Sequence, residues 1–294
     1  MCMSESVIAD FVASFNAEHT TRSDPAKGRV LLSRKRLVLA ATDAAQITIP
    51  LSAVVDVAVG HVPPELGDFF DSTVTVAFER SDERYVACVS ADEDKIEKFS
   101  TVLFKTILNG TDATIKHPAR VGGRVTEAEF ARAKLSVERG SVEFATGSES
   151  VEIALANVTG IGRGRREVAG SDRPVLEIRH MDGGRSMMTM IATDSSRTLS
   201  ILGRYIRLEY SDLMADLADV DLSDGQKETL VALYSGAGTE DVSLPTIVDE
   251  DPQQVTMTLN RLQEDGLVAD TDEGTTLTPM GRVVVSNHLE DVNE

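Results

Sequence analysis

A multidomain α+β fold is predicted for this sequence by three observations. The first is an internal duplication: residues 41–60, ATDAAQITIPLSAVVDVAVG, lie over residues 145–164, ATGSESVEIALANVTGIGRG, at one constant offset and without a gap. Apolar character is kept at Ile47/Val151, Ile49/Ile153, Leu51/Leu155, Val54/Val158 and Val57/Ile161, and Gly60 falls on Gly164. A period of this length means a duplicated domain; solenoids and propellers repeat far more often. The second observation is that each copy ends in a helical stripe. Ile96, Phe99, Leu103 and Ile107 recur every three to four residues, and Leu199, Leu202, Ile206 and Tyr210 repeat the pattern. The third is a change of grammar from Asp212, where short helices surround one two-stranded hairpin.

In chain order, Val7, Ile8, Phe11, Val12 and Phe15 stand at helical intervals and predict an amphipathic helix over Ser6 to Phe15. Arg29 to Ala40 reads as a hairpin with Arg34-Lys35-Arg36 at its turn. Strands follow at Gln46 to Ile49 and Val54 to Val59. A loop over His61 to Asp68 carries Pro63-Pro64, and a hairpin from Thr73 to Ser90 turns at Ser81-Asp82-Glu83. Asp92, Glu93 and Asp94 then favour a helix start, because acids near an N-terminus complement the helix dipole.

Gly122-Gly123 reads as a linker, with a second unit beginning near Arg120. Its strands are placed at Ala133 to Val137, Ser141 to Ala145, Ser150 to Ala154, Val158 to Ile161, Val175 to His180 and Arg185 to Ile191. A strand meander capped by a helix is the pattern of a pleckstrin-homology-like β-barrel, and two in tandem are expected, over residues 1–118 and 119–211. Another small β-barrel is the alternative. Residues 212–294 form the last domain, with helices at Asp224 to Tyr234, Ser243 to Glu250 and Pro252 to Asp265, a wing across Asp272-Glu273-Gly274 and a closing helix from Pro279 to Leu289. This is the order of a winged helix-turn-helix.

Charge limits the function classes. Over 294 residues the net charge is −19, with 41% hydrophobic residues and no tryptophan, so the acid is solvated surface on folded domains. Scarce lysine beside so much acid suits a salt-rich cytoplasm. From Asp212 to Glu294 only Lys227, Arg261 and Arg282 stand against nineteen acids, and a face of that sign repels a duplex. Neither a nucleic acid partner nor membrane insertion is expected; no run of apolar residues is long enough for a span. Cys2 and Cys88 have no metal-ligand spacing, and His19, His61, His117, His180 and His288 are scattered. No nucleophile elbow, phosphate loop or paired-carboxylate motif is present, so a non-enzymatic, cytoplasmic protein without cofactors is expected. The Met187-Met188-Met190 run reads as strand packing. Residues 120–211 are mildly basic, fourteen against twelve, and GIGRGRRE concentrates Arg163, Arg165 and Arg166 on what reads as a solvated loop or a docking patch for an acidic partner.

The duplicated strand unit, GRVLLSRKRLVLA near the start, the acidic winged helix and the overall length resemble the archaeal taxis protein CheF family, and the acid-rich composition looks like its haloarchaeal members. The resemblance implies an adaptor between the phosphorylated response regulator CheY and the switch complex of the archaellum motor, with other taxis proteins as further partners and no catalytic residues. A transcriptional regulator with a tandem sensor module is the alternative. On this reading CheY docks on the outward residues of the third helix and the closing helix of the last domain, Met257, Asn260, Arg261, Glu264, Val284 and His288, and the motor meets Arg163, Arg165 and Arg166. The opening helix and the exposed strand edges of tandem barrels predict a homodimer.

Overall fold

The computed structural model describes residues 6–17, 25–41, 46–60, 72–147, 149–182, 185–218, 221–235, 244–248, 250–271 and 274–285. The duplication is visible as topology. In the first half β1 (Val7–Ala17), β2 (Ala26–Ser33), β3 (Arg36–Ala41), β4 (Gln46–Pro50), β5 (Val54–Val59), β6 (Thr73–Arg80) and β7 (Glu83–Ser90) form one antiparallel sheet in the order β4-β3-β2-β1-β7-β6-β5. In the second half the same path is traced by β8 (Asp112–Val121), β10 (Ala131–Glu138), β11 (Ser141–Ala145), β12 (Ser150–Ala154), β13 (Val158–Val168), β14 (Ser171–Asp182) and β15 (Arg185–Thr193), with the short β9 (Arg124–Val125) folded back on β8. A single 3-10 turn, Leu51–Ala53 and then Leu155–Asn157, separates the fourth strand from the fifth in both copies. The gapless stretch of the duplication spans this corner.

Three expectations are corrected. Neither sheet closes into a barrel: β4 and β5 end the first sheet, β12 and β13 the second, and no pairing joins them among the described residues. The predicted opening helix is the central strand β1. Ala13, Phe15 and Ala17 are buried at a period of two while Val12 is 57% exposed, and hydrogen bonding to β2 on one side and β7 on the other overrides the helical spacing. Gly122-Gly123 is a tight turn joining β8 to β9, and the second sheet already begins at Asp112. The remaining hairpins fall where turn chemistry puts them. Ser81 and Asp82 both adopt positive φ, 53° and 63°, as a two-residue hairpin requires.

Helix α1 (Glu93–Leu108) is capped by Asp92, whose carboxylate accepts from the Lys95 N–H at 3.1 Å. It packs on β1 and β6 of its own sheet and also on β10 of the next. Helix α2 (Ser196–Ala218) reciprocates, packing on β14 and β15 and on β5 of the first sheet. The helices meet where the rings of Phe104 and Tyr205 lie 5.4 Å apart, both side chains fully buried. Tyr205 donates to the Glu138 carbonyl at 2.5 Å. Arg197 donates both terminal nitrogens to the Leu51 and Ser52 carbonyls of the first unit's 3-10 turn, and Arg204 grips Asp56 with two bonds of 3.2 Å. Lys105 and Arg139 pair with Glu138 and Glu97 across the same junction. One hydrophobic core therefore serves both sheets.

A second core lies beyond residue 212. It is formed by α3 (Asp224–Tyr234), α4 (Leu244–Ile247), α5 (Pro252–Glu264), the hairpin β16 (Val268–Thr271) and β17 (Gly274–Leu277), and a helix over residues 279–285, α6. Leu230, Val255, Leu262, Leu267, Leu277 and Val283 are its centre, and Tyr210 of α2 packs against both cores. Helix α3 opens on a capping box between Ser223 and Gln226, and α5 on Asp251 with Pro252 at a favoured first position.

Removal of the Phe104 ring from a fully buried site costs about 3–5 kcal/mol. Because that ring belongs to a core common to both sheets, Phe104→Ala is expected to lower the stability of the two units together. Denaturant unfolding followed by probes placed in β3 and in β11 should give coincident midpoints, both shifted; a shift confined to the first unit would refute a common core.

Candidate interaction surfaces

Arg163, Arg165 and Arg166 lie in the regular strand β13, paired with Leu176, Pro174 and Arg173 of β14, and not in a loop. Alternation along a strand sends neighbours to opposite faces, so the three do not form one patch. Arg163 is on the α2 side, where its guanidinium reaches Ser200 Oγ at 3.4 Å and lies against Gly203. Arg165 donates to the Asp172 carboxylate at 2.6 Å and to its carbonyl at 3.1 Å. Arg166 is on the opposite face, where it donates to Glu177 at 2.5 Å. Glycines make that face possible. A Cβ on Gly160 would come within 2.9 Å of the Arg179 guanidinium, and one on Gly164 within 2.9 Å of the Glu177 carboxylate.

In the last domain Val255 and Leu262 of α5 are buried and Leu259 is half-buried, so this stripe faces the core. Met257 is 56% exposed, and Asn260, Arg261 and Glu264 are exposed beside it. Val284 is half-buried on α6, Met280 packs against the core, and His288 lies outside the described residues. The face is a short convex ridge with a single cation.

The histidines are scattered in sequence, but two of them meet in the fold. His117 Nδ1 and His180 Nε2 share the Thr189 hydroxyl, at 2.8 and 3.0 Å, and their rings stack 5.8 Å apart. Thr189 and His180 are buried, and His117 stands at the β8 irregularity opposite Thr189, before the cis peptide to Pro118. Only the pairing of β8 with β15 and of β15 with β14 unites residues so far apart in sequence. Burial pushes the His180 imidazole down to about 4, with the His117 charge adding to the effect and Asp182 opposing it; burial lowers His117 too. The Cys88 thiol, buried, is pushed up and so is a poor nucleophile. Among the described residues no three His, Cys, Asp or Glu side chains converge as a metal site, and no helix is long and apolar enough to cross a membrane.

Residues 7–212 match the family described as Archaeal Chemotaxis signal transduction system protein F. The chain belongs to the CheF family. Two relatives from Halobacterium salinarum extend the likeness over the last domain. Taxis protein CheF2 is 43% identical over 291 residues, covering 99% of this chain and all of the relative, and taxis protein CheF1 is 31% identical over 276 residues, covering 91% and 89%. The role of a CheF chain is thus in archaeal chemotaxis signalling, and the duplicated sheets with their shared helical junction, residues 7–212, are the part that the family pattern covers.

The buried His180 gives this CheF chain an acid limit. A histidine kept neutral in the fold contributes stability above its unfolded pKa near 6.5, and loses it as pH falls toward the folded value of about 4. At about 1.4 kcal/mol per pKa unit this amounts to roughly 3 kcal/mol for His180. Chemical unfolding between pH 7 and pH 4.5 should show a steep loss for the native chain and a shallower one for His180→Gln. Parallel pH profiles would remove His180 from the acid response.

Proposed function

We propose that the chain is a non-enzymatic taxis adaptor that links phosphorylated CheY to the archaellum switch complex and so sets the direction of rotation. The observation that carries the reading is near-full-length similarity to taxis proteins, joined to a fold whose solvent-facing features suit protein contacts. In this reading the two sheet units, divided before Asp112, are opened pleckstrin-homology-like folds, and residues 212–294 a winged helix whose recognition helix is α5. That helix has Arg261 as its one cation and begins behind Glu250 and Asp251, so the phosphate neutralisation that DNA binding needs is missing from it. A helix with Met257, Asn260, Arg261 and Glu264 exposed serves a protein partner instead, and Val284 and His288 are assigned to the same contact.

CheY docks on this ridge, and phosphorylation favours the docking conformation of CheY, since a bare phosphate gains little beside so much acid. Of the basic residues Arg163, Arg165 and Arg166, the pair Arg163 and Arg165 shares one face of β13 and orients the motor contact, while Arg166 stands on the other face. A truncation lacking Asp221 to Glu294 should lose retention of CheY bearing a phosphoryl mimic while still pulling down switch subunits in high salt. Full retention of CheY by the truncation would overturn the docking assignment.

The chain acts as a homodimer. Val7, Ile8 and Val12 are exposed on β1, and apolar side chains of this size in one strand suit a symmetric contact. Light scattering at micromolar concentration in molar salt should give about twice the 31.7 kDa chain mass, and Val12→Glu should return it to the monomer value. A monomer mass for the native chain would dismiss the dimer.

A further inference from the structure

The two sheets have the same backbone path, so each can serve as the control for the other. Helix α2 packs on the inner face of β14 and β15, and no described helix covers the outer face, the side on which Arg166 meets Glu177. Register places Lys116, Met190 and Glu177 in one cross-strand row with Gly162, and Arg120, Met188 and Arg179 in the next with Gly160. In the first sheet the equivalent rows read Asn16, Cys88, Thr75 and Ala58, then Val86, Ala77 and Asp56. The same fold is therefore built without Lys116, without Arg179 and without the methionines. Structure does not require them.

Not all of the charges on the outer face are neutralised by one another. Arg166 is engaged with Glu177, whereas Lys116, Arg120 and Arg179 enter no ion pair among the described residues. Between β8, β9 and the end of β13 this face sinks into a cleft of about 560 Å³. Lys116, Arg120 and Arg166 stand on its walls, Met190, Ala119 and Phe130 give it an apolar floor, and Val125, 69% exposed, forms one lip. Glu129 and Glu167 also line the cleft and offset part of its positive charge, while Arg179 on the neighbouring face adds to it.

We infer that this cleft and the face beside it dock an acidic segment of a protein partner through one bulky apolar side chain, with carboxylates on either side meeting Lys116, Arg120 and Arg179. Charge complementarity selects the acid, and the volume and floor of the cleft select the apolar anchor. A chain with net charge −19 is held away from nucleic acid and anionic bilayers at long range, and a few surface cations do not reverse that field. In molar salt the screening length falls to about 3 Å, so only contacting charges act and the anchor supplies most of the affinity. Methionine suits such a floor because its unbranched thioether adapts to the side chain that enters. The inference does not depend on the identity of the motor or of CheY, and of the three arginines in GIGRGRRE it uses only Arg166.

The test uses the full chain and a labelled twelve-residue peptide of Glu and Gly with one central Phe, at 0.3 M and at 1 M KCl. Fluorescence anisotropy should show saturable binding, weakened at least tenfold when the Phe is replaced by Gly or when every Glu is replaced by Gln. Lys116→Gln combined with Arg120→Gln should weaken it to a similar extent with an unchanged thermal midpoint. As a measurement that needs no variant, methyl NMR of the native chain should show peptide-dependent shifts at Met188 and Met190 and none at Val86 of the first sheet. Equal binding by the double variant, or shifts confined to residues elsewhere, would overturn the inference. So would competition by duplex DNA or anionic vesicles at concentrations comparable to the peptide, which would make the face a general polyanion binder. Loss of CheY or motor binding in other assays would leave these results unaffected.

Discussion

The contact on which the architecture most depends is that of Phe104 with Tyr205. Each ring belongs to the helix that ends its own unit, and each is buried where that helix also packs on the other unit. Two open seven-strand paths, each with uncovered ends, become one body because their helices are exchanged as covers. Arg197 adds a polar lock. Its guanidinium satisfies two carbonyls of the 3-10 turn in the first unit, and burial lowers its pKa, but Nε has no hydrogen-bond partner. Such a group is tolerated only because the terminal nitrogens are well used, and it ties the start of α2 to the corner after β4.

Charge is distributed unevenly along this body. Residues 212–294 hold nineteen of the forty-eight acids with three cations, while residues 120–211 hold fourteen of the twenty-nine cations. Much of the basic complement in the second unit is absorbed internally, by Asp172, Glu177, Asp194 and, across the junction, Asp56. Exposed pairs of this kind contribute little to stability, about 0–1 kcal/mol each. Their consequence is to decide which cations remain available to a partner, and sequence proximity is a poor guide to that. Arg165 and Arg166 are adjacent in sequence yet engage different acids through different faces of β13.

Most of the strands, the cap of α1 and the order of elements after Asp212 were legible in the sequence, because turn residues and period-two burial leave local marks. Asp92 before the helix and Ser81-Asp82 in the hairpin are such marks. The opening strand was not legible: Val7, Ile8, Phe11, Val12 and Phe15 fit a helical stripe as well as they fit alternation, and only pairing with β2 and β7 decides between them. The absence of barrel closure has no local mark for a related reason, since hydrogen bonding between sheet ends is a non-local property. At the candidate surfaces, the outward orientation of Met257, Asn260, Arg261 and Glu264 followed from the periodicity of α5. The splitting of Arg163 from Arg166 required strand β13, which the triple glycine of GIGRG had disguised as a loop. The His117–Thr189–His180 cluster had no local signal, because its members come from three strands.

The 3-10 corner between the fourth and fifth strands has an evolutionary corollary. It is here, over Ala41 to Gly60 and Ala145 to Gly164, that the two halves have kept step without gaining or losing a residue, while connections elsewhere have changed length. An added residue in β5 or β13 would turn its buried side chains to the opposite face, and within the turn it would displace the carbonyls that Arg197 reads. The corner is thus a ruler inherited by both copies: connections outside this stretch have drifted in length, but the segment around the corner is held by packing on both of its sides.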